Sequence, residues 1–138
     1  MKPITFTIPG KPSAWQRANR NGKRTYDTAQ NTSAKDAIAW ACKAAMGGQR
    51  PFEGPVKLTA LFVHQWPKAT TKKRKALANG FYKDTRPDCD NYLKLIMDAM
   101  NGIAYQDDGQ VSVVYSEKIF DANGPATRVT VQPLWGHE

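Results

Sequence analysis

Polar and apolar residues alternate in several short runs of this chain. Two longer runs keep helical spacing instead. Ile4, Phe6 and Ile8 alternate up to Pro9, and Val56, Leu58, Ala60 and Phe62 do the same. Val111, Val113 and Tyr115 follow, and a last run over 126–132 centres on Val129 and Val131. A period of two reads as strands with one buried face. Ala37, Ile38, Trp40, Ala41, Ala44 and Ala45 fall at helical spacing, with Thr32 or Ser33 as the expected cap and Gly47–Gly48 as the stop. A second main helix is expected to start at Asp90–Asn91 and end at Asn101–Gly102. Its apolar stripe would be Cys89, Leu93, Ile96, Met97 and Met100. "ATTKKRKALANG" reads as a short helix capped by Thr70 or Thr71. The two periods do not alternate as a βαβ repeat does. The expected class is therefore α+β, a small mixed sheet with two main helices packed on it, in a single domain over residues 1–138 with 133–138 as a loose tail.

A chain of 138 residues buries about two-thirds of its unfolded surface, enough for one core without staples. It has no apolar run long enough to cross a membrane. "MKPITFTIPG" lacks the apolar core of a secretion signal, so the expected location is the cytoplasm. Cys42 and Cys89 are far apart and form no zinc pattern with His64 or His137; both read as reduced thiols. His64 reads as a structural or surface residue, and Trp15 and Trp66 as core or loop packing residues, with stacking on bases as the alternative.

The net charge of +8 is unevenly spread. Residues 1–35 carry seven Lys/Arg and one Asp, residues 64–86 carry seven and one, and residues 87–138 carry three Lys/Arg against eight Asp/Glu. Two basic segments around an acidic one suit a polyanion-binding surface beside a cation-holding site. In the first segment Asn21–Gly22 marks a hairpin-like basic turn among Arg17, Arg20, Lys23 and Arg24. The second segment offers Lys68, Lys72, Lys73, Arg74 and Lys75. These residues are the candidate nucleic-acid contacts, with a solvated helix face as the lesser reading of 72–75.

"RPDCDNYLKLIMDAM" then places Asp88 and Asp90 two residues apart. On an extended segment their side chains would share one face about 7 Å apart, a span that suits hard divalent ions such as Mg²⁺ or Mn²⁺. Asp107–Asp108 forms a second pair, and chain length allows it to return to the first. Lys94 lies one turn beyond Asp90. Together these are the parts that phosphodiester hydrolysis uses. On spacing alone a second reading stays open, in which Asp88 or Asp90 is a helix cap and "DDG" an ordinary turn.

"RPDCDNYLKLIMDAMNGIAYQDDGQV" resembles the core signature of the RusA-type Holliday junction resolvases of bacteria and their phages. The N-terminal "IPGKPSAWQRANR" and "GKRTY" are similar as well. The resemblance implies a RusA-like fold and a homodimeric, Mg²⁺-dependent endonuclease (Mn²⁺ being an alternative ion) that resolves four-way DNA junctions by paired symmetrical nicks. It implies Asp88, Asp90 and Asp108 as essential acidic residues and metal ligands, Lys94 as a catalytic residue, and Asp107 as a weaker metal candidate. Two further readings stand beside it: a catalytically silent DNA-binding protein, and a metal-dependent nuclease for flaps or other branched DNA.

Overall fold

The computed structural model describes residues 2–17, 19–21, 24–26 and 28–135, and between 18 and 27 only backbone pairing is described. Strand β1 spans Ile4–Pro9, β4 Val56–His64, β5 Val111–Phe120 and β6 Ala126–Pro133. They form a mixed sheet in the order β1-β6-β4-β5. β6 is antiparallel to both β1 and β4, while β4 and β5 run parallel. The basic turn is a separate two-stranded ribbon of β2 (Asn19–Asn21) and β3 (Arg24–Tyr26). Helix α1 is Ala29–Met46, the short α2 is Lys72–Ala76 and α3 is Cys89–Ala99. The α+β class and the mixed sheet with two main helices are as expected.

One face of the sheet is buried. β4 buries Val56, Leu58, Ala60, Phe62 and His64 in strict alternation, β6 adds Thr127, Val129 and Val131, and β1 adds Ile4 and Phe6. α1 covers them with Ile38, Cys42 and Met46, and α3 with Tyr92, Leu95, Ile96 and Ala99. Each large apolar side chain fully buried there contributes about 1.5–3 kcal/mol. On the other face Thr5 and Thr7 stay exposed, and the Thr5 and Thr130 hydroxyls bond each other at 3.0 Å.

The stripe on α3 differs from the expected one. Tyr92 and Leu95 are fully buried, whereas Leu93 and Met97 are only partly so. The Tyr92 ring stacks on Phe62 at 4.5 Å between centroids, and its hydroxyl lies 2.9 Å from His64 Nε2. These contacts turn the Tyr92 side of the helix inward. α1 also starts earlier than expected. Its cap is Thr28, whose side chain accepts from the Asn31 N–H, and Thr32 sits inside the first turn. Gly47 closes the helix in the left-handed region, at φ 56°, with its N–H on Lys43 O.

Two polar clamps fix the loop after β1. Buried Asn31 accepts from Gln16 N and donates to Gln16 O, both at 2.9 Å. One residue earlier, Trp15 N donates to Asn91 O at 2.9 Å. The loop is thus tied to α1 on one side and to the first turn of α3 on the other.

Candidate active site

α3 begins one residue before the expected Asp90, and this changes the aspartate pair. Asp88 is the cap residue and Asp90 lies in the first turn, so the two do not sit on an extended segment. Asp88 makes no cap bond with its side chain. Its exposed carboxylate instead lines a groove of about 960 Å³ with Lys11, Trp15, Arg86 and Asn91. The first-turn N–H groups of α3 and its dipole favour negative charge at this position. Asp90 is exposed and stands outside the lining. Among the described residues neither aspartate is ion-paired.

Lys94 is held at the same end of the helix. Its ammonium sits 3.8 Å from the centroid of the Trp15 ring, a cation–π contact. Because Trp15 is pinned by backbone bonds on both sides, the lysine rests on a fixed platform. Asp98, another turn along, pairs with Lys35 at 4.0 Å.

The second acidic pair lies elsewhere. The turn Asp108–Gln110 leads directly into β5. Gln110 braces it: Oε1 accepts from Gln106 N and Asp107 N, and Nε2 donates to Phe52 O and Gly54 O at 2.8 and 2.9 Å. Asp107 Oδ2 accepts from Gly109 N at 2.9 Å, so Asp107 serves the turn, as the ordinary-turn reading has it. Asp108 does not cap with its carboxylate and is partly buried. Nearby Tyr105 donates its hydroxyl to Met97 O, and burial, with Asp108 next in weight, pushes that phenol far up.

The start of α3 is fixed at the end of β4 by the Tyr92–His64 contact. Gln110 fixes Asp108 near the start of that strand, just before Val56. β4 has nine residues and spans roughly 26 Å, and the two pairs lie toward its opposite ends. The return of Asp107–Asp108 to Asp88–Asp90, which chain length permits, is not made within one chain. Among the described residues no group of three or more His, Cys, Asp or Glu is placed to hold a metal ion.

The basic candidates divide by use. Arg74 is a structural pin: Nε donates to Gly80 O and Nη2 to Tyr82 O, both at 2.8 Å, with Asp84 at 3.7 Å. Lys75 lies 5.6 Å over the Trp66 ring, which itself stacks on Phe120. Lys68, Lys72 and Lys73 are exposed on the same segment, and Arg17 is exposed beyond the pinned loop. The side chains of Arg20, Lys23 and Arg24 lie outside the described residues. Four cations not singled out in the sequence, Lys11, Lys83, Arg86 and Lys118, gather at the Asp88 end. They come from three separate segments, Lys83 and Arg86 sharing the loop before α3, and no local pattern announces them.

Two comparisons bear on this architecture. A curated relative from Bacillus subtilis (strain 168), "Uncharacterized protein YqaN", is 34% identical over 131 residues, covering 83% of this chain and 89% of the relative. The family model "Endodeoxyribonuclease RusA" matches residues 9–132, from the end of β1 almost to the end of β6, with both acidic pairs and the pinned loop inside the match. A match over most of the chain shows the family: this chain belongs to the RusA endodeoxyribonucleases.

Proposed function

We propose that the protein is a metal-dependent endonuclease that resolves four-way DNA junctions, with Asp88, Asp90 and Asp108 as its acidic residues. The observation that carries this reading is Asp88. It occupies a cap position, leaves its carboxylate out of the cap, and lines a groove of about 960 Å³. Two exposed carboxylates with hard oxygen donors on one helix turn fit Mg²⁺ or Mn²⁺. A bound ion would supply the charge that lowers the barrier for water attack on a phosphodiester. Around it the chain's own residues orient the strand. Trp15 holds the Lys94 ammonium beside the acidic turn, ready to meet a phosphate oxygen, and Lys11 and Arg86 border the groove.

One chain offers only part of the acidic set, and the free edge of β5 suggests how a second copy completes it. Val113, Val114 and Tyr115 are exposed on this edge strand. Beyond them Lys83 N donates to Lys118 O, and Phe120 N donates to Phe81 O, so that end of the edge is already covered. Antiparallel pairing of two β5 strands about a two-fold axis near Val114 sets each Asp108 turn against its partner's Lys118. Lys118 Nζ bonds Thr85 O and Pro87 O at 2.8 and 2.9 Å, immediately before Asp88. A two-fold dimer of this kind also matches the two equivalent strands of a junction.

The deciding assay incubates wild-type and Asp88→Asn protein with a labelled four-way junction, in Mg²⁺ or in EDTA. Paired nicks by the wild type in Mg²⁺ alone, with binding retained and cutting lost in the variant, are the expected result. Binding without cutting in either Mg²⁺ or Mn²⁺ favours a silent DNA-binding protein. Equal cutting of junction, flap, duplex and single strand favours a nuclease of broader target. A Val114→Lys variant that remains a dimer by light scattering refutes the β5 edge as the interface.

A further inference from the structure

A second cavity, of about 330 Å³, lies between the end of β4, β5 and the loop before α3. Its lining includes Lys11, His64, Lys83, Arg86, Phe120 and Pro125. Lys118 stands behind the same loop, on Thr85 O and Pro87 O. Lys83 Nζ donates to Thr85 Oγ1 and, at 2.8 Å, to Arg86 O, which leaves it one further N–H. Among the described residues no carboxylate is ion-paired with any of the four cations. Asp84, beside Lys83 in sequence, pairs with Arg74 instead.

Such a group repels itself. Burial and then Lys118 hold the Lys83 ammonium below its ordinary range; Asp84 pulls the other way, and Lys11 adds the smallest push downward. His64 is kept neutral by burial and by the same three lysines, so it adds a polar wall and no charge. Gln65 adds a second polar wall, and the rest of the lining is apolar: Pro67, Pro87, Pro125 and Phe120. One anionic group carried on an apolar neighbour would relieve the repulsion and fill the space. A sugar–phosphate unit has that character. Lys11, Arg86 and Pro87 line both this cavity and the Asp88 groove, so a strand lying in the groove passes the cavity mouth.

We propose that this cavity is a phosphate subsite, in which Lys11, Lys83 and Arg86 seat one DNA backbone phosphate close to the phosphate presented to Asp88. The proposal rests on the chain's acting on DNA, and its test separates the two ideas. Junction binding is measured in EDTA by fluorescence anisotropy over a range of salt, for wild type and for Lys11→Gln/Arg86→Gln. The same titrations use junctions in which single phosphates flanking the cleavage step are replaced, one at a time, by neutral methylphosphonates. For the wild type, one position is expected to weaken binding about tenfold, and the double variant is expected to be insensitive to that position. The variant's salt slope should fall by about 1 to 2. Methylphosphonate losses that are equal in wild type and variant at every position overturn the subsite. Junction cutting with no such coupling leaves the nuclease and removes the subsite; coupling without any cutting does the reverse. Arg86→Gln alone, altering one exposed side chain, gives the same comparison should the double variant be unstable.

Discussion

Acid should unfold this protein through a single buried imidazole. His64 is 7% exposed, with Nε2 against the Tyr92 hydroxyl and with Lys83, Lys11 and Lys118 as its charged neighbours. Burial first, then these lysines, lower its pKa from 6.5 to about 4. In the unfolded chain the imidazole takes its proton near 6.5; in the folded protein it resists until about 4. The stability involved is therefore fully present above 6.5 and is lost as pH falls toward 4. The full difference corresponds to about 3 kcal/mol, of which about 2 kcal/mol disappears between about pH 7 and about pH 5. Urea denaturation at those two pH values reads this loss as a drop in midpoint of about 1 M. The control is His64→Asn, which has no imidazole to titrate. Its absolute stability will be lower, because the Tyr92 contact is altered, so only its change with pH is compared. The carboxylates titrate in both proteins and cancel in the comparison. Should the variant lose as much stability as the wild type over this range, His64 is not the acid-sensitive group and the reasoning fails.

Other outcomes follow from contacts already described. Gln110→Ala removes four hydrogen bonds around the Asp108 turn and should cost about 2–4 kcal/mol in denaturant unfolding; a loss under about 0.5 kcal/mol would show that the brace carries no weight. Trp15→Leu takes away the platform under Lys94 and should slow junction cutting about fivefold, the equivalent of roughly 1 kcal/mol, while binding in EDTA changes little. Equal losses in rate and binding would instead make Trp15 a DNA contact. Cys42 is fully buried and burial pushes its thiol up to about 11, whereas Cys89 is only partly buried. A thiol reagent at neutral pH should therefore add once to the folded protein by mass spectrometry, at Cys89.

The strands were readable because alternation directly records a sheet with one buried face, as at Val56, Leu58, Ala60 and Phe62. Helix ends were readable where glycine takes a left-handed turn, as at Gly47. The buried face of α3 was not. Cys89–Leu93–Met97 and Tyr92–Leu95–Ala99 both fit helical spacing, and only contact with Phe62 and His64 selects the second. Caps misled for a similar reason: Thr28, Thr32 and Ser33 are equally able hydroxyls, and Asn31 decides among them by offering its N–H to Thr28. The Asp88–Asp90 pair was visible as a motif, but its geometry depended on helix α3 starting at Cys89. The position of Asp108 depended on α3 running back along β4, which no local spacing specifies. Arg74 looked like its basic neighbours, and its role as a pin exists only because Gly80 and Tyr82 present carbonyls to it. The cations at 11, 83, 86 and 118 lie on segments that only the folded sheet brings together.

The cover that Phe81 and Lys83 lay over the far end of β5 has a consequence for assembly. A strand edge open along its whole length would recruit neighbours without limit, the hazard of exposed sheets. Here one end is already occupied by the chain's own backbone, and the part left open is short and identical in every copy. In the dimer proposed above, two copies meeting there would use up each other's vacancy, so growth at that edge would stop at two.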